Sequence, residues 1–202
     1  MKLPRTPPVP LTLAPGDIKP ATQRLWRIHR TRGEHVLHWN ALRRWGPTSS
    51  RYDPQESPPG PSSLGVTYLA GDVTTALAEV FQQTRVIDTA AGVPYLTGWT
   101  PARTLQLLDL TGDWPLRHLA SQVLMSGPKS SCRAWSRAIA STFADLDGLW
   151  ARSSLLDGSI IVLFNPAADA FPERPDLSLP LDAPGLADRL AAAADRIGYW
   201  LA

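Results

Sequence analysis

The sequence has few of the residues that would cross-link a small fold or hold a metal. Cys132 is the single cysteine among 202 residues, so the chain can form no internal disulfide and offers no thiol framework for zinc. No apolar run approaches the roughly 20 residues of a membrane span. The first 20 residues also lack the apolar segment of a secretion signal. We therefore expect a cytoplasmic, single-domain protein whose core needs no covalent support at this length.

Net charge is also small, with 20 Lys and Arg against 18 Asp and Glu. A protein that binds nucleic acid non-specifically normally carries a large basic excess, so the balance argues against that class. Three of the basic residues are lysines and the others are arginines, which hold phosphate and carboxylate better. Because a GC-rich genome explains the overall bias at least as well, only particular arginines can indicate phosphate binding.

Standard catalytic and cofactor motifs are absent from the sequence. It contains no GxGxxG or GxxxxGK[ST] phosphate loop, no GxSxG nucleophile elbow and no HExxH zinc motif. His35 and His38 lie three residues apart without a third ligand nearby, which is typical of surface histidines rather than a metal site. Cys132 has no catalytic signature around it, and we interpret it as a structural thiol. No metal is expected.

Proline divides the chain into segments. Six of the first 20 residues are prolines, which predicts an extended or disordered N-terminal extension over residues 1–22. Regular structure is predicted to begin near Gln23 and to form one domain over residues 23–202. A second proline-rich piece at 53–63 is predicted to be a loop.

Hydrophobic periodicity predicts strands and helices in irregular order. Residues 23–29 are predicted to form a strand that places Arg27 on the face opposite Trp26. Asp72 stands at an N-cap position before helical spacing over 74–83. The irregular order favours an α+β fold, a mixed sheet with flanking helices, over a doubly wound sheet. The other predicted elements are strands at 65–70, 104–110 and 159–164, a helix at 134–144 and an amphipathic C-terminal helix within 186–201.

Five short blocks stand out in this framework. They are Leu-Trp-Arg-Ile at 25–28, Ser-Arg-Tyr-Asp-Pro at 50–54, Val-Thr-Tyr-Leu-Ala at 66–70, Thr-Ala-Leu-Ala-Glu-Val at 75–80 and Asp-Gly-Leu-Trp-Ala-Arg-Ser at 147–153. In order and spacing they resemble the RES domain family, named for an arginine, a glutamate and a serine. The resemblance spans about residues 23–166. Its most specific part is the tyrosine of the third block, followed eleven residues later by the glutamate of the fourth.

The resemblance implies a set of site residues. Carried over in order, the family's two arginines, tyrosine, glutamate and serine fall on Arg27, Arg51, Tyr68, Glu79 and Ser153. Ser154 is the adjacent alternative to Ser153. The chain departs from the family pattern in two places, since serines at 49 and 50 replace common glycines and the proline-rich loop over 52–64 is longer than usual.

Known members of the RES family are toxins of bacterial toxin–antitoxin pairs that consume or use NAD. The resemblance therefore implies a fold similar to ADP-ribosyltransferase toxins, NAD as the substrate, and an antitoxin partner with an Xre-type helix-turn-helix domain. Neither direct nucleic-acid binding nor a membrane is expected. The sequence leaves open whether the chain forms a homo-oligomer.

The implied residues suit chemistry on NAD. Arginines hold a pyrophosphate through charge-assisted, often bidentate hydrogen bonds, and the ring face of Tyr68 can stack on the cationic nicotinamide. Breaking the nicotinamide–ribose bond builds positive charge on the sugar, which the carboxylate of Glu79 can stabilise. Ser153 is predicted to donate a hydrogen bond to the nicotinamide amide or to a phosphate oxygen. The predicted catalytic residues are Glu79, Arg51 and Tyr68, and the predicted binding residues are Arg27, Arg51, Tyr68 and Ser153.

Three functions stay open on the sequence. The first is an NAD glycohydrolase or phosphorylase that passes ADP-ribose to water or phosphate and depletes NAD. The second is an ADP-ribosyltransferase that passes it to a protein, and the third is a non-catalytic module that binds its partner. Each site residue alone is more often structural, so the functional prediction depends on all five occurring together in family order.

Overall fold

Strands and helices follow one another irregularly along the chain in the computed structural model, which describes residues 3–202. The strands are β1 (Ile18–Ala21), β2 (Leu25–Arg30), β3 (Arg43–Gly46), β4 (Gly60–Ala70), β5 (Val86–Ile87), β6 (Pro94–Trp99), β7 (Leu105–Asp109), β8 (Gly148–Arg152), β9 (Ser159–Leu163), β10 (Leu177–Pro180) and β11 (Trp200–Leu201). The α-helices are α1 (Val73–Phe81), α2 (Trp114–Arg117), α3 (Lys129–Thr142) and α4 (Ala187–Ile197). Short 3-10 helices occupy Gln122–Met125, Asn165–Ala170 and Pro184–Leu186.

One large mixed sheet organises the fold. Over the described residues it has nine strands, in the order β1-β7-β8-β9-β4-β2-β6-β10, with β3 paired to β4 outside this path. β7 and β8 run parallel, and the other neighbours in this sheet run antiparallel. β5 and β11 form a separate parallel pair. The predicted α+β class, a mixed sheet with flanking helices, is confirmed.

The predicted elements all form, with shifted ends. The strands predicted at 23–29, 65–70, 104–110 and 159–164 correspond to β2, β4, β7 and β9, and the predicted helices correspond to α1, α3 and α4. Asp72 caps α1 as predicted, since its Oδ1 accepts a hydrogen bond from the Thr75 amide at 2.8 Å. Within residues 3–202, no helix is long and apolar enough to cross a membrane.

The observed strands correct the predicted boundaries of the two proline-rich segments. Regular structure begins at Ile18 rather than near Gln23, because β1 pairs with β7 at the edge of the sheet, where Pro20 is tolerated. The predicted loop at 53–63 also ends early, because β4 begins at Gly60. Pro61 pairs there with Trp45 of β3, in an extension that lies beside β3 alone.

The two faces of the sheet carry separate cores. One core lies under α1, α3 and α4, with Leu77, Trp135 and Leu190 among its members. The other lies on the opposite face, where Trp39 and Trp99 pack with the 3-10 segment Asn165–Ala170. All three main helices therefore stand on one side of the sheet, and the C-terminal part of α1 meets the end of β8 there.

The N-terminal strap, residues 3–17, packs against the helical side. Two fully buried indoles donate hydrogen bonds to its backbone, from Trp135 Nε1 to the Pro4 carbonyl at 3.0 Å and from Trp114 Nε1 to the Thr12 carbonyl at 2.9 Å. The Thr12 amide in turn donates to Nε2 of buried His118 at 3.0 Å. The backbone of the strap thus forms the hydrogen bonds that these buried side chains need, and residues 3–17 pack as a layer of the domain.

We expect Trp135→Phe to lower the free energy of unfolding by about 1–2 kcal/mol, because it removes the bond to the Pro4 carbonyl and part of a buried ring. Urea unfolding followed by tryptophan fluorescence or circular dichroism measures the change. Trp200→Phe is the matched control, since Trp200 is 78% exposed. Equal stability of both variants would contradict the role assigned to the strap.

Candidate active site

A cleft opens where β2 and β4 separate. These two neighbouring strands share a single registered pair, Trp26 with Ala70. Beyond it lies an inner cavity of about 70 Å³, lined mainly by apolar side chains together with Arg27, Tyr68 and Glu79. An outer cleft of about 270 Å³ shares Tyr68 and Glu79 with the inner cavity. Its polar lining also includes Ser49, Ser50, Arg51, Gln82, Gln83, Lys129, Arg152 and Ser154.

Glu79 is placed in the cleft by the amphipathic pattern of α1. The helix buries Ala76, Leu77 and Phe81 against the sheet, which leaves Glu79 on its flank. Val80 had the spacing of a core residue but is 49% exposed and lines both cavities. An apolar side chain exposed beside a carboxylate is a feature of ligand pockets rather than of a solvated helix face.

Ser153 orients the Glu79 carboxylate. Its hydroxyl donates to Glu79 Oε1 at 2.7 Å, and its oxygen accepts from the amides of Leu155 and Leu156. Glu79 Oε2 keeps only a long contact of 3.5 Å, from Gln82 Nε2. Because the one hydroxyl proton of Ser153 is directed at Glu79, the predicted donation from Ser153 to a ligand is not what this geometry shows. The neighbouring Ser154 is exposed and lines the outer cleft.

Tyr68 lies between the two cavities with its hydroxyl fixed away from solvent. The hydroxyl donates to Asp53 Oδ1 at 2.9 Å and accepts from the Tyr52 amide at 3.0 Å. Burial, and after it the Asp53 carboxylate, raise the pKa of the Tyr68 phenol well above its usual value. Tyr68 therefore stays neutral, and its ring is the part that it can offer to a ligand.

Arg51 reaches the outer cleft from the loop between β3 and β4. Its Nη1 donates to the Gly127 carbonyl and lies 3.7 Å from Cys132 Sγ. Cys132 is fully buried, its thiol donates to the Leu124 carbonyl at 3.2 Å, and burial raises its pKa. The thiol is therefore an inert packing group, and it helps to hold the guanidinium of Arg51 beside the cleft.

Arg27 lines the inner cavity, and backbone carbonyls of the loop after β2 hold its guanidinium. Its Nη1 donates to the carbonyls of His38, Trp39 and Ala41, at 3.2, 2.7 and 3.2 Å. Burial, with the nearby Arg43 cation, lowers the pKa of Arg27 to about 10, so it remains charged at neutral pH. One nitrogen of Arg27 thus supports the loop around Trp39.

The two cleft arginines of the predicted site differ from those that form ion pairs. Arg24, Arg43, Arg103, Arg117 and Arg152 each pair with an aspartate. Arg27 and Arg51 form no ion pair with any carboxylate in residues 3–202. Both side chains are half-buried. Because withdrawing a cation from water without a counter-charge is unfavourable, an anionic ligand in the cleft would supply a charge that neither arginine has as a partner.

The sequence matches the family model described as the RES domain over residues 24–182. The chain belongs to the RES domain family. This match confirms the resemblance that the ordered blocks indicate. No curated protein gives a significant match to the sequence.

A solved structure is similar to this RES domain in fold. It is a chain in the crystal structure of the M. tuberculosis MbcT–MbcA toxin–antitoxin complex, with a TM-score of 0.58 and 18% sequence identity. The likeness covers 87% of this chain and 92% of that chain. At this identity the likeness concerns the fold alone.

The structure of the RES domain brings the predicted residues together around one cleft. Arg51, Tyr68, Glu79 and Ser154 line the outer cleft, Ser153 supports Glu79 from behind, and Arg27 borders the inner cavity. The roles assigned to these residues in ligand binding remain predictions. Their placement requires β4, α1 and the end of β8 to meet on the helical side of the sheet, next to the gap between β2 and β4 that Arg27 borders.

Sequence reasoning missed several residues of the site. Lys129 and Arg152 add two cations to the outer cleft, and Gln82 and Gln83 extend the flank of α1. Asp53 was interpreted as part of a loop, although it is fully buried against Tyr68. The Arg-Tyr-Asp-Pro block already contains this carboxylate, but nothing in its local spacing indicates that it turns inward.

The part of the chain that the structure describes holds no group of three or more His, Cys, Asp or Glu side chains placed to bind a metal ion. His35 and His38 are both exposed, in keeping with their interpretation as surface residues.

Proposed function

We propose that this RES domain is the toxin of a toxin–antitoxin pair and that it cleaves the nicotinamide–ribose bond of NAD. One observation carries the proposal. A carboxylate oriented by a serine, Glu79, shares a cleft with the face of Tyr68 and with Arg51 and Arg27, two arginines without carboxylate partners. Membership of the RES family supports it, as does the likeness in fold to a chain of a toxin–antitoxin complex.

The cleft offers a distinct environment for each part of NAD. Arg51 would hold the pyrophosphate with charge-assisted hydrogen bonds from its Nε and Nη2 atoms, and Lys129 adds positive charge to the cleft, whereas the charge of Arg152 is offset by its ion pair with Asp157. The flat nicotinamide cation would stack on Tyr68 towards the apolar inner cavity. This arrangement leaves the bond between the ring and the ribose next to Glu79.

The carboxylate of Glu79 supplies the main chemical assistance. As the C–N bond breaks, its electron pair leaves with nicotinamide, and positive charge develops on the ribose carbon and ring oxygen. Glu79 Oε2 would stabilise that charge while Ser153 holds Oε1 in place. Water then adds to the ribose carbon and loses a proton to the solvent, which gives ADP-ribose, or phosphate adds in its place and gives the phosphorylated form; either product depletes NAD.

We propose an antitoxin with an Xre-type helix-turn-helix domain as the partner. An inhibitor of this enzyme would have to cover the outer cleft, whose mouth carries Arg51, Lys129 and Arg152. An acidic or C-terminal carboxylate group of the antitoxin would suit these cations. Protection of the cleft by the partner would explain how a cell tolerates the chain.

The test is nicotinamide release from NAD by the purified chain, with the adenine-containing product identified by mass spectrometry in buffers with and without phosphate. We expect free ADP-ribose or its phosphorylated form, and Arg51→Lys should raise KM about tenfold because the forked guanidinium is lost. Arg24→Lys, which alters an exposed pair with Asp176, is the matched control. Intact NAD, or ADP-ribose found only on a protein, would contradict cleavage to small products.

A further inference from the structure

Asp53 is the most completely engaged carboxylate near the cleft. It is fully buried, and each of its oxygens accepts two hydrogen bonds. Oδ1 accepts from Arg43 Nη2 at 2.6 Å and from the Tyr68 hydroxyl at 2.9 Å. Oδ2 accepts from the Thr48 amide at 2.5 Å and from Thr48 Oγ1 at 2.8 Å. A buried carboxylate is stable only with such a full set of donors.

The four donors come from three separate parts of the chain. Arg43 belongs to β3, Tyr68 belongs to β4, and Thr48 begins the loop that carries Arg51. The loop is also held on the C-terminal side of Arg51, because the Tyr52 amide donates a hydrogen bond to the Tyr68 hydroxyl. The segment from Thr48 to Tyr52 is therefore tied at both ends to one Asp53–Tyr68 pair.

We infer that Asp53 is a positioning residue that sets the place of Arg51 and the orientation of the Tyr68 ring together. This inference rests on the proposed function, because it concerns the two residues assigned to the pyrophosphate and to nicotinamide. Asp53 lines neither cavity and so contacts no ligand itself. The ion pair with Arg43 offsets the negative charge of Asp53, and Arg51 forms no ion pair with this carboxylate.

The decisive variant is Asp53→Asn. An amide has one accepting and one donating end, so either the Thr48 amide or the Arg43 and Tyr68 donors would then face an NH₂ group. We expect the loop to loosen and KM for NAD to rise about tenfold, while kcat changes by less than about threefold, because binding groups are displaced but Glu79 is not. An unchanged KM in a folded variant that turns over NAD would overturn the inference.

Asp147→Asn is the matched control. Asp147 is equally buried and pairs with Arg103 through both of its oxygens, but it lies outside the cleft. A merely structural role for Asp53 predicts that both variants lose stability and keep the same KM. If Asp53→Asn does not fold, Thr48→Val removes one donor and is expected to raise KM about threefold; no rise would equally overturn the inference.

A second readout does not depend on NAD cleavage. The chain has four tyrosines, so labelling their Cζ carbons with ¹³C gives a simple NMR spectrum in which Tyr68→Phe identifies the Tyr68 signal. We expect Asp53→Asn to shift that signal and Asp147→Asn to leave it in place. If Asp53→Asn shifts the Tyr68 signal but the parent chain leaves NAD intact, Asp53 does position Tyr68 and only the proposed function is contradicted. An unmoved signal would overturn the inference itself.

Discussion

Glu79→Gln is expected to lower kcat for nicotinamide release by about 10³-fold while KM changes little. The substitution keeps the size and shape of the side chain, and its amide oxygen can still accept the hydrogen bond from Ser153. It removes the negative charge that would meet the developing positive charge on the ribose. Losing one such electrostatic group at a preorganised site commonly costs two to three orders of magnitude in kcat.

Single-turnover kinetics with the purified variant measure this effect, and unfolding in urea checks that the fold is retained. Glu173→Gln is the matched control, because Glu173 is exposed and lies outside both cavities. If Glu79→Gln cleaves NAD at the parental rate, another group supplies the charge and Glu79 is a structural acceptor for Ser153. If the parent chain is inert as well, the better explanations are transfer of ADP-ribose to a protein and the non-catalytic binding module, and a search for ADP-ribosylated protein in a cell lysate decides between them.

Gly148→Ala is expected to give the largest loss of stability, about 3 kcal/mol or more. A Cβ atom at Gly148 would lie 1.9 Å from the carbonyl oxygen of Val162. Gly148 belongs to β8 and is paired on one side with Leu107 and on the other with Leu163. Because backbone, rather than a flexible side chain, occupies the space, the ladder itself would have to shift, which exceeds the usual cost of overpacking.

Chemical unfolding measures the effect, with the fraction of soluble protein on expression as a second readout. Gly185→Ala is the control, since nothing lies within 4 Å of a Cβ added there. A Gly148→Ala chain as stable as the parent would contradict the close approach of β8 to β9. The active-site cleft depends on this pair, because Ser153 follows β8 directly.

The local parts of the site were predictable from the sequence. The N-cap at Asp72 and the apolar spacing after it fix both the helix and its register, and so place Glu79 on a flank. Trp26 and Ile28 do pack on the face of the sheet away from Leu25, as the alternation along β2 predicts. A helix or strand can be predicted in this way because the periodicity that indicates it lies within one short segment of the sequence.

Contacts between distant segments were not predictable in the same way. The direction of the Ser153 hydroxyl depends on α1, which lies 74 residues earlier. The inward turn of Asp53 depends on Arg43 and Tyr68 on two different strands. The packing of the proline-rich strap depends on buried indoles more than 100 residues away. A pattern within about ten residues contains none of this information.

The wide separation of these partners constrains how the chain folds as it is made. The strap is synthesised before the sheet, yet Trp135, which donates to the Pro4 carbonyl, lies 131 residues later in the chain. β4 pairs with β9, so the strand that holds Tyr68 has no neighbour on that side until residues 160–163 have been synthesised. A high contact order slows folding, because the chain loses the entropy of closing long loops before the stabilising contacts between their ends have formed. The cleft therefore forms only after β9 has been synthesised, and a nascent chain stopped before β9 would carry Arg27 and Arg51 without forming the site.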